Sequence, residues 1–342
     1  MRDIKILGID IAKNTFHLHG VNGRGKKLLQ KKVSRSKFLE TLIQIDCEAI
    51  VMEACGGANH WAREVKKLGK EVKLISPQFV TGYVKRNKND WKDAEAICEA
   101  AAREVTHYVE PLSEDRQDIQ SIHRMRQGLI DIRTATGNRI RGLLQEYGAV
   151  IPVGIHKLMK VLPDIYGDES NHLTPRIRVI MMGEFEELLS LNKRIKEYDE
   201  LLKEICEQND SCKRLTSIPG VGVINATILH VKLGSGSTFK NGRHFAAYLG
   251  LVPKHRGTGG KNQLSGISKR GDKYVRKNLV HAGRSVLKYS ESKTDKLNVW
   301  CSALSTKKKA NVVAVALANK IARIAWALTA KNEVFKAEQV SA

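Results

Sequence analysis

Hydrophobic and polar residues alternate at the start of the chain in the way that is typical of β-strands. Apolar residues from Ile4 lead into Gly8 and Asp10, and a second alternating run begins at Thr15 after a short polar turn. This pattern predicts a β-hairpin over residues 4–21, with a carboxylate near the end of its first strand. An acid beside a small residue leaves room for a hard cation or a phosphate, although an isolated acid can also simply cap a turn.

Two more strands and two helices follow, and one strand repeats the arrangement of the first. Residues 26–33 predict a third strand with a basic outer face, and the apolar spacing over 34–45 predicts a helix. A short buried strand over 49–52 then runs into Glu53, and two glycines lead to a helix over 59–68. The sequence therefore predicts that two strands of one sheet each end in a carboxylate.

Asp90 and Asp93 stand three positions apart at the start of a further predicted helix, which follows a strand over residues 71–75. Residues at positions i and i+3 share one helix face, so both carboxylates can point at one spot. Acids at a helix N-terminus are also ordinary capping and dipole groups. Together with Asp10 and Glu53 they make four carboxylates, and one or two Mg²⁺ ions need such a cluster to bind phosphate and activate a nucleophile.

The middle of the chain has the pattern of long helices. A basic helix is predicted over residues 115–148, and a connection over 149–174 contains at most a short helix. A second long helix then carries apolar residues at heptad spacing, namely Leu188, Leu191, Ile195, Tyr198, Leu202 and Ile205. We expect the two helices to pair as an antiparallel coiled coil or across a dimer interface. We favour a contact between subunits, because the segment has few other elements on which to pack.

The third region begins near Cys212 and contains a helix, a Pro-Gly-Val-Gly turn and another helix, in the sequence RLTSIPGVGVINATILHV. This resembles the helix-hairpin-helix element, which grips a phosphate backbone through its turn amides, although glycines between helices are also simple tight turns. An amphipathic helix over 239–251 follows. An apolar helix over 304–328 closes the region, and its shortness and its cations Lys320 and Arg323 argue against a membrane span.

Glycines and cations are interleaved between these two helices, from Pro253 onward, and we expect this block to form a flexible loop. Glycine lets the backbone come close to a phosphate, and the cations neutralise it. The cations predicted to contact nucleic acid, including three in the connector before Asp90, are Lys85, Arg86, Lys88, Arg256, Lys261, Lys269, Arg270, Lys273 and Arg276.

Composition supports a soluble, cytosolic protein that binds a polyanion. The 342 residues are 42% hydrophobic, which is enough for two or three domains, and no signal peptide is evident. Lysine and arginine number 58 against 36 acids, giving a net charge of +22. A ribosomal or chromatin-like binder has such a charge too, but it has no need of carboxylates at strand ends and helix starts. The six cysteines lack paired spacing, so neither a zinc site nor a disulfide framework is predicted.

The residues around the four acids resemble a known catalytic domain. Residues 4–105 are similar to the RuvC-like, ribonuclease-H-type nuclease domain. The motifs GID, ME and KNDWKDA look like the Asp-Glu-Asp-Asp tetrad of the IS-one-ten family of insertion-sequence transposases, relatives of the Piv DNA invertases. The resemblance implies that Asp10, Glu53, Asp90 and Asp93 are catalytic, metal-binding acids that use one or two Mg²⁺ ions.

The same resemblance implies the partners. It implies recombination between donor and target DNA, directed by a structured bridge RNA that the element encodes. It also implies a homo-oligomer, a dimer that becomes a tetramer in the synaptic complex, acting in the prokaryotic cytoplasm at the nucleoid.

The Gly-rich basic block resembles the family's C-terminal transposase domain. That domain has a Gly-Leu-x-Pro helix end, a hydroxyl residue followed by Gly, and Ile-Ser/Thr-Lys-x-Gly before a basic helix. Family members often carry two serines before the glycines, and one of them is the nucleophile that joins DNA. This chain has Gly257-Thr258 there, so the resemblance makes Thr258 the candidate nucleophile, with Ser265 and Ser268 as alternatives. The β-methyl group of threonine crowds an attack on phosphorus.

The expected fold class is α/β plus α. It comprises a RuvC-like domain over 1–110, a coiled-coil region over 111–210 and a mostly helical C-terminal transposase domain over 211–335. The expected function is RNA-guided DNA recombination at a site that combines the acids with the hydroxyl. The alternative is a junction-cleaving nuclease that uses water, or a polyanion binder whose acids only hold structure.

Overall fold

The computed structural model describes residues 4–83, 89–103, 108–258 and 261–336. The chain folds as two compact units, Met1–Asp115 and Arg116–Ala342, which we call unit 1 and unit 2. The finer division into three domains stays a prediction.

A six-stranded sheet forms the centre of the described part of unit 1. Its strands are β1 (Ile4–Ile11), β2 (Thr15–Val21), β3 (Lys27–Ser34), β4 (Cys47–Glu53), β5 (Val72–Ile75) and β6 (Tyr108–Val109). The α-helices that accompany it are α1 (Phe38–Ile43), α2 (Ala58–Lys67), α3 (Pro77–Val80) and α4 (Asp90–Ala101). The order across the sheet is β3-β2-β1-β4-β5-β6; β1, β4 and β5 are parallel and the other neighbours antiparallel. The predicted hairpin and the predicted strand before Glu53 are confirmed.

The two faces of this sheet pack against different helices. Fully buried Phe16 belongs to a core on one face, where its ring lies 4.5 Å from Phe38 of α1 and 5.1 Å from Trp61 of α2, all three edge to face. On the other face, Val51 of β4 packs with Ile97 of α4 in a separate cluster. The strand alternation that fills both cores therefore decides which side chains face α4.

Unit 2 is mostly helical in its described residues. Its helices are α5 (Glu114–Glu146), which begins at the boundary with unit 1, α6 (Ile155–Gly167), α7 (Pro175–Gln208), α8 (Asp210–Thr216), α9 (Val223–Leu233), α10 (Gly242–Tyr248), α11 (Lys273–Lys288), α12 (Lys296–Ser305) and α13 (Ala310–Lys331). A two-stranded antiparallel sheet is formed by β7 (Pro253–Thr258) and β8 (Lys261–Ile267). The two long helices are confirmed. The helix-hairpin-helix interpretation of α8, its turn and α9 stays a prediction.

The long helices α5 and α7 pack against each other within the chain. Three polar pairs join them, Arg126–Asp199, Arg133–Asn192 and Arg139–Glu184. Successive residues along α5 pair with progressively earlier residues of α7, so the two helices are antiparallel. The seam residues Leu188, Leu191, Ile195 and Leu202 are buried in this arrangement. The preference for a contact between subunits at this seam is therefore wrong, because its apolar residues are already covered. A coiled-coil geometry stays a prediction.

Three segments differ from the sequence expectations. The connection over 149–174 contains the 13-residue helix α6, which buries Leu158 and Leu162 although Pro163 lies inside it. The helix expected from residue 239 starts only at Gly242, where the side chain of Asn241 caps it by accepting from the His244 amide. The Gly-rich block after α10 forms the β7–β8 hairpin rather than a loop, because its glycines are compatible with paired, extended backbone.

The helix α13 is long and apolar enough to cross a membrane when only length and composition are considered, so the expectation that it is too short to do so is wrong. Core helices of globular proteins pass the same test. Its buried residues include Leu317, Ile321 and Ala325, and it packs against α10, α11 and α12. The helix α13 is therefore a core helix of unit 2.

A histidine lies in the core of unit 2 and joins three helices. His123 of α5 is 1% exposed, and its ring nitrogens lie 2.9 Å from the Tyr274 hydroxyl and 3.0 Å from the Thr227 hydroxyl. Burial lowers the pKa of His123 to about 4, and the positive charges of Arg126 and Lys232 act in the same direction. The imidazole is therefore neutral in the folded protein near neutral pH.

The lowered pKa of His123 predicts a specific loss of stability in acid. The folded pKa of His123 lies below the value of about 6.5 for an unfolded chain, so only the unfolded chain takes up the proton between these values. We expect the free energy of unfolding to fall by about 3 kcal/mol through this group as the pH drops from about 6.5 to 4. Chemical denaturation of wild type and of His123→Gln measures it. His123→Gln should lose less stability than the wild type over this pH interval. His281→Gln, at an exposed position, is the control and should match the wild type. Equal pH profiles for wild type and His123→Gln would contradict the proposed role of His123.

Candidate active site

Asp10 lies near the end of β1, on the face of the sheet that α4 covers. Leu7 and Ile9 are fully buried in the core on the opposite face. The intervening Gly8 faces α4 so closely that a Cβ atom there would lie 2.7 Å from the carbonyl oxygen of Ala94. Alternate residues of a strand share a face, so the side chain of Asp10 also projects towards α4.

Glu53 is the last residue of β4, the parallel neighbour of β1. Ile9 and Met52 are partners in the register, which places Glu53 beside Asp10 at the same edge of the sheet. Burial raises the pKa of the nearby Cys55 thiol, and the charges of Glu53 and Asp10 raise it further. The prediction that two strands of one sheet end in carboxylates is confirmed, and the structure shows that the two strands are neighbours.

The N-terminus of α4 supplies two further acids. The side chain of Asn89 caps the helix by accepting a hydrogen bond of 2.9 Å from the Lys92 amide. Asp90 is the first helical residue, and Asp93 follows one turn later. Asn89 therefore fills the capping position. Asp90 and Asp93 lie in the first turn, where their negative charges also suit the helix dipole, as the alternative interpretation expects.

Close packing holds α4 against β1 and β2. The amide of Gly8 donates to the Cys98 sulfur at 3.1 Å, and the Cys98 thiol donates to the carbonyl oxygen of His19 at the same distance. Burial raises the pKa of Cys98 to about 12, so the group is a neutral thiol at physiological pH. A Cβ atom on Gly8 would lie 2.7 Å from this sulfur. Glycine at position 8 is therefore what allows the helix with its acids to approach the strand.

This packing brings three of the four predicted acids together. Asp10, Asp90 and Asp93 each offer an oxygen atom, and these atoms all lie within 4.8 Å of one another. Asp10 and Asp93 are partly buried, whereas the side chain of Asp90 is 60% exposed. Glu53 stands outside this group of oxygens but on the same edge of the sheet. Carboxylate oxygens at such spacing are a suitable donor set for Mg²⁺ or Mn²⁺.

The candidate nucleophile lies in unit 2, on the β7–β8 hairpin. Thr258 is the last residue of β7, and its register partner is Lys261. The structure describes only the backbone here, so the side chains of Thr258, Arg256 and Lys261 lie outside what it describes. Of the alternatives, Ser265 is exposed on β8. Ser268 follows the hairpin, and its amide donates to the carbonyl oxygen of Val252 at 2.8 Å.

The predicted nucleic-acid contacts are in part exposed cations. Lys269, Arg270 and Lys273 are exposed at the turn before α11 and at its first residue. Arg276 instead donates from its guanidinium to the carbonyl oxygen of Leu249 at 3.1 Å, which links α11 to the end of α10. The connector cations lie outside the described residues: Lys85, Arg86 and Lys88.

Comparison with known proteins shows to which family the chain belongs. A family model for Asp-Glu-Asp-Asp transposases, described as Transposase, matches residues 7–149, and a model described as Transposase IS116/IS110/IS902 family matches residues 212–297. The transposase for insertion sequence element IS1111A of Coxiella burnetii is 42% identical over 98% of this chain and 92% of its own length. The chain belongs to the IS110 family of transposases.

Other relatives agree with this assignment. The transposase for insertion sequence element IS1328 of Yersinia enterocolitica is 40% identical over 98% of this chain and 99% of its own length. A pilin gene-inverting protein of Moraxella lacunata is 24% identical over 80% of each chain. The resemblance to IS-one-ten (IS110) transposases is confirmed, and the protein is a DNA transposase. Its Asp-Glu-Asp-Asp domain implies a RuvC-like fold for unit 1 and a requirement for a divalent metal.

Sequence reasoning missed residues of the transposase that shape the site. Gly8 and Cys98 are 90 positions apart, and no local pattern pairs them. His17 is the register partner of Asp10 across the hairpin, and its ring lies in the same neighbourhood. The short turn between the two strands was a usable signal for His17, because turn length fixes the register of a hairpin.

The close contact at Gly8 gives a testable prediction. In Gly8→Ala, the added methyl group must push α4 away from β1 and separate Asp10 from the two acids of α4. We expect a loss of about 1–3 kcal/mol in the free energy of unfolding, and a loss of DNA cleavage on the order of 100-fold. Urea denaturation and a cleavage assay measure the two effects. Gly82→Ala is the matched control, because a Cβ atom there meets nothing within 4 Å; a Gly8→Ala protein as stable and active as this control would contradict the account.

Proposed function

We propose that this transposase cuts and exchanges DNA strands at a metal centre formed by Asp10, Asp90 and Asp93, with Glu53 at its edge. The observation that supports this is the meeting of three carboxylates from a strand and a helix on one face of the sheet. One or two bound Mg²⁺ ions would polarise the scissile phosphodiester and stabilise the leaving oxygen. The carboxylates hold their negative charge close together, which favours a divalent cation over solvent.

We propose further that the nucleophile is a protein hydroxyl, that of Thr258. In this step the Thr258 oxygen forms a bond to phosphorus and loses its proton, while the bond from phosphorus to the leaving sugar oxygen breaks and that oxygen takes up a proton. A new DNA hydroxyl later attacks the same phosphorus and releases the threonine. The phosphodiester energy is kept throughout, so no ligase or high-energy cofactor is needed. Ser265 and Ser268 remain the alternative nucleophiles.

We propose that sequence choice comes from a structured bridge RNA encoded by the element. The net charge of +22 and the exposed cations at Lys269, Arg270 and Lys273 suit a protein that holds several phosphate backbones at once. The partners would be donor DNA, target DNA and this RNA, held by a dimer that becomes a tetramer in the synaptic complex. The reaction would take place at the nucleoid in the bacterial cytoplasm.

A reconstituted reaction tests these proposals. Purified transposase, Mg²⁺, DNA carrying the element ends and target DNA are incubated with or without RNA transcribed from the DNA that flanks the reading frame. Joined donor–target products should form only with the RNA and should be lost in EDTA. Products that form equally without RNA would refute RNA guidance.

The state of the DNA ends after cleavage distinguishes recombination from the alternative of a junction-cleaving nuclease. Water as nucleophile would leave free ends and no joined product, whereas a protein hydroxyl leaves DNA attached to the transposase. Free ends as the sole product would therefore favour the nuclease.

A further inference from the structure

His17 is a buried histidine that faces the acid cluster. It lies on β2 as the register partner of Asp10, so both side chains project from the sheet towards α4. Only 4% of the His17 side-chain surface is exposed. Trp91 of α4 meets the imidazole edge to face, with 4.5 Å between the ring centroids, and limits its rotation.

The Nδ1 atom of this ring has no hydrogen-bond partner among the described residues, although it is buried. Burying a polar atom without a hydrogen-bond partner is destabilising, so such atoms are rare in folded proteins unless they serve a function. The Nδ1 atom lies 3.6 Å from the Oδ2 atom of Asp90, just beyond hydrogen-bond length. A small rotation of either side chain would close this gap.

Asp90 is the acid of the cluster that most needs such a partner. Its side chain is 60% exposed and stands on the first residue of α4, whereas those of Asp10 and Asp93 are partly buried. An exposed carboxylate samples several rotamers, and holding one of them costs entropy. A hydrogen-bond donor fixed in the sheet would hold Asp90 in one rotamer beforehand, so less entropy would be lost when an ion binds.

We propose that His17 is a positioning residue of the metal centre: its Nδ1–H group donates a hydrogen bond to the Asp90 carboxylate and turns the other oxygen towards Asp10 and Asp93. Hydrogen-bond partners behind a ligating carboxylate fix the orientation of its oxygens. The role is distinct from that of the acids, because His17 contacts a ligand and not the ion. This inference rests on the proposed metal site.

Binding of Mn²⁺ alone, followed by electron paramagnetic resonance of the free ion, tests the role without any DNA reaction. Removing the ring in His17→Leu should weaken Mn²⁺ binding about tenfold. His17→Asn should restore most of the affinity, since the Asn amide nitrogen is attached to Cγ, as Nδ1 is in histidine. The matched control is His19→Leu, which removes another buried imidazole from the same face of the same strand.

The baseline is Asp10→Asn, which reports Mn²⁺ bound elsewhere on the protein. Equal affinity in wild type and His17→Leu would overturn the positioning role, as would an equal loss in His19→Leu. A strong nitrogen-14 coupling to Mn²⁺ that disappears in His17→Leu would also overturn it, because the ring would then be a direct ligand. If the wild type binds Mn²⁺ no better than Asp10→Asn, the proposed metal site itself fails, and this inference fails with it.

Discussion

Replacing Asp93 by Asn is expected to abolish DNA cleavage while the fold remains intact. The change keeps the shape of the side chain but removes one of the charges that would hold the cation at Asp10, Asp90 and Asp93. We expect cleavage and strand transfer to fall about 1,000-fold or more. Single-turnover cleavage of labelled element-end DNA measures the effect, and the Asn variants at Asp10 and Asp90 should behave alike.

The stability of the same variant separates a catalytic from a structural role. Three carboxylates within 4.8 Å repel one another when no cation is bound, so Asp93→Asn should unfold at an equal or higher denaturant concentration in EDTA. Glu40→Gln, at an exposed position of α1, is the charge-matched control and should change neither activity nor stability appreciably. Full recombination by the double variant Asp90→Asn/Asp93→Asn, or its unfolding, would refute the role of the acids.

Thr258→Ala is expected to abolish the covalent protein–DNA adduct while DNA and RNA binding persist. The change removes the attacking oxygen and leaves every cation of the sequence in place. We expect no adduct on a denaturing gel after incubation with labelled element-end DNA. Thr258→Ser should retain the adduct, since serine offers the same oxygen without the β-methyl group that crowds the attack.

The two alternative serines define the result that would contradict the prediction for Thr258. If the adduct survives Thr258→Ala and disappears with Ser265→Ala or Ser268→Ala, the nucleophile is that serine. Ser265 is exposed on β8, and Ser268 is half-buried just after that strand.

Much of unit 1 could be predicted because its signals are local. A two-residue alternation indicates a strand, and a spacing of three positions in a helix indicates a shared face. The hairpin, the acid at the end of β4 and the Asp90–Asp93 pair therefore all follow from near neighbours in the sequence. The sequence suggested that the four acids cluster, but it could not show what brings Asp10 to the acids of α4. Their meeting depends on the contact of Gly8 with Cys98, which lies 90 residues away.

The departures from prediction have equally physical reasons. The helix α6 contains Pro163, which is a helix breaker by pattern, but buried leucines at positions 158 and 162 outweigh the lost hydrogen bond. Glycines and cations from Pro253 onward indicated a loop, yet glycine also permits extended backbone, and pairing with β8 decides the outcome. The seam of α7 was placed between subunits because nothing in the sequence shows that α5 already covers it.

The most direct test of the central claim is a crystal structure of the transposase soaked with Mn²⁺, with anomalous scattering recorded at the manganese absorption edge. We expect an anomalous peak within about 2–2.5 Å of oxygen atoms from Asp10, Asp90 and Asp93. That peak should be absent in crystals of Asp93→Asn. A peak at another site, or none at these carboxylates under conditions that support DNA cleavage, would contradict the claim that this cluster is the catalytic metal centre.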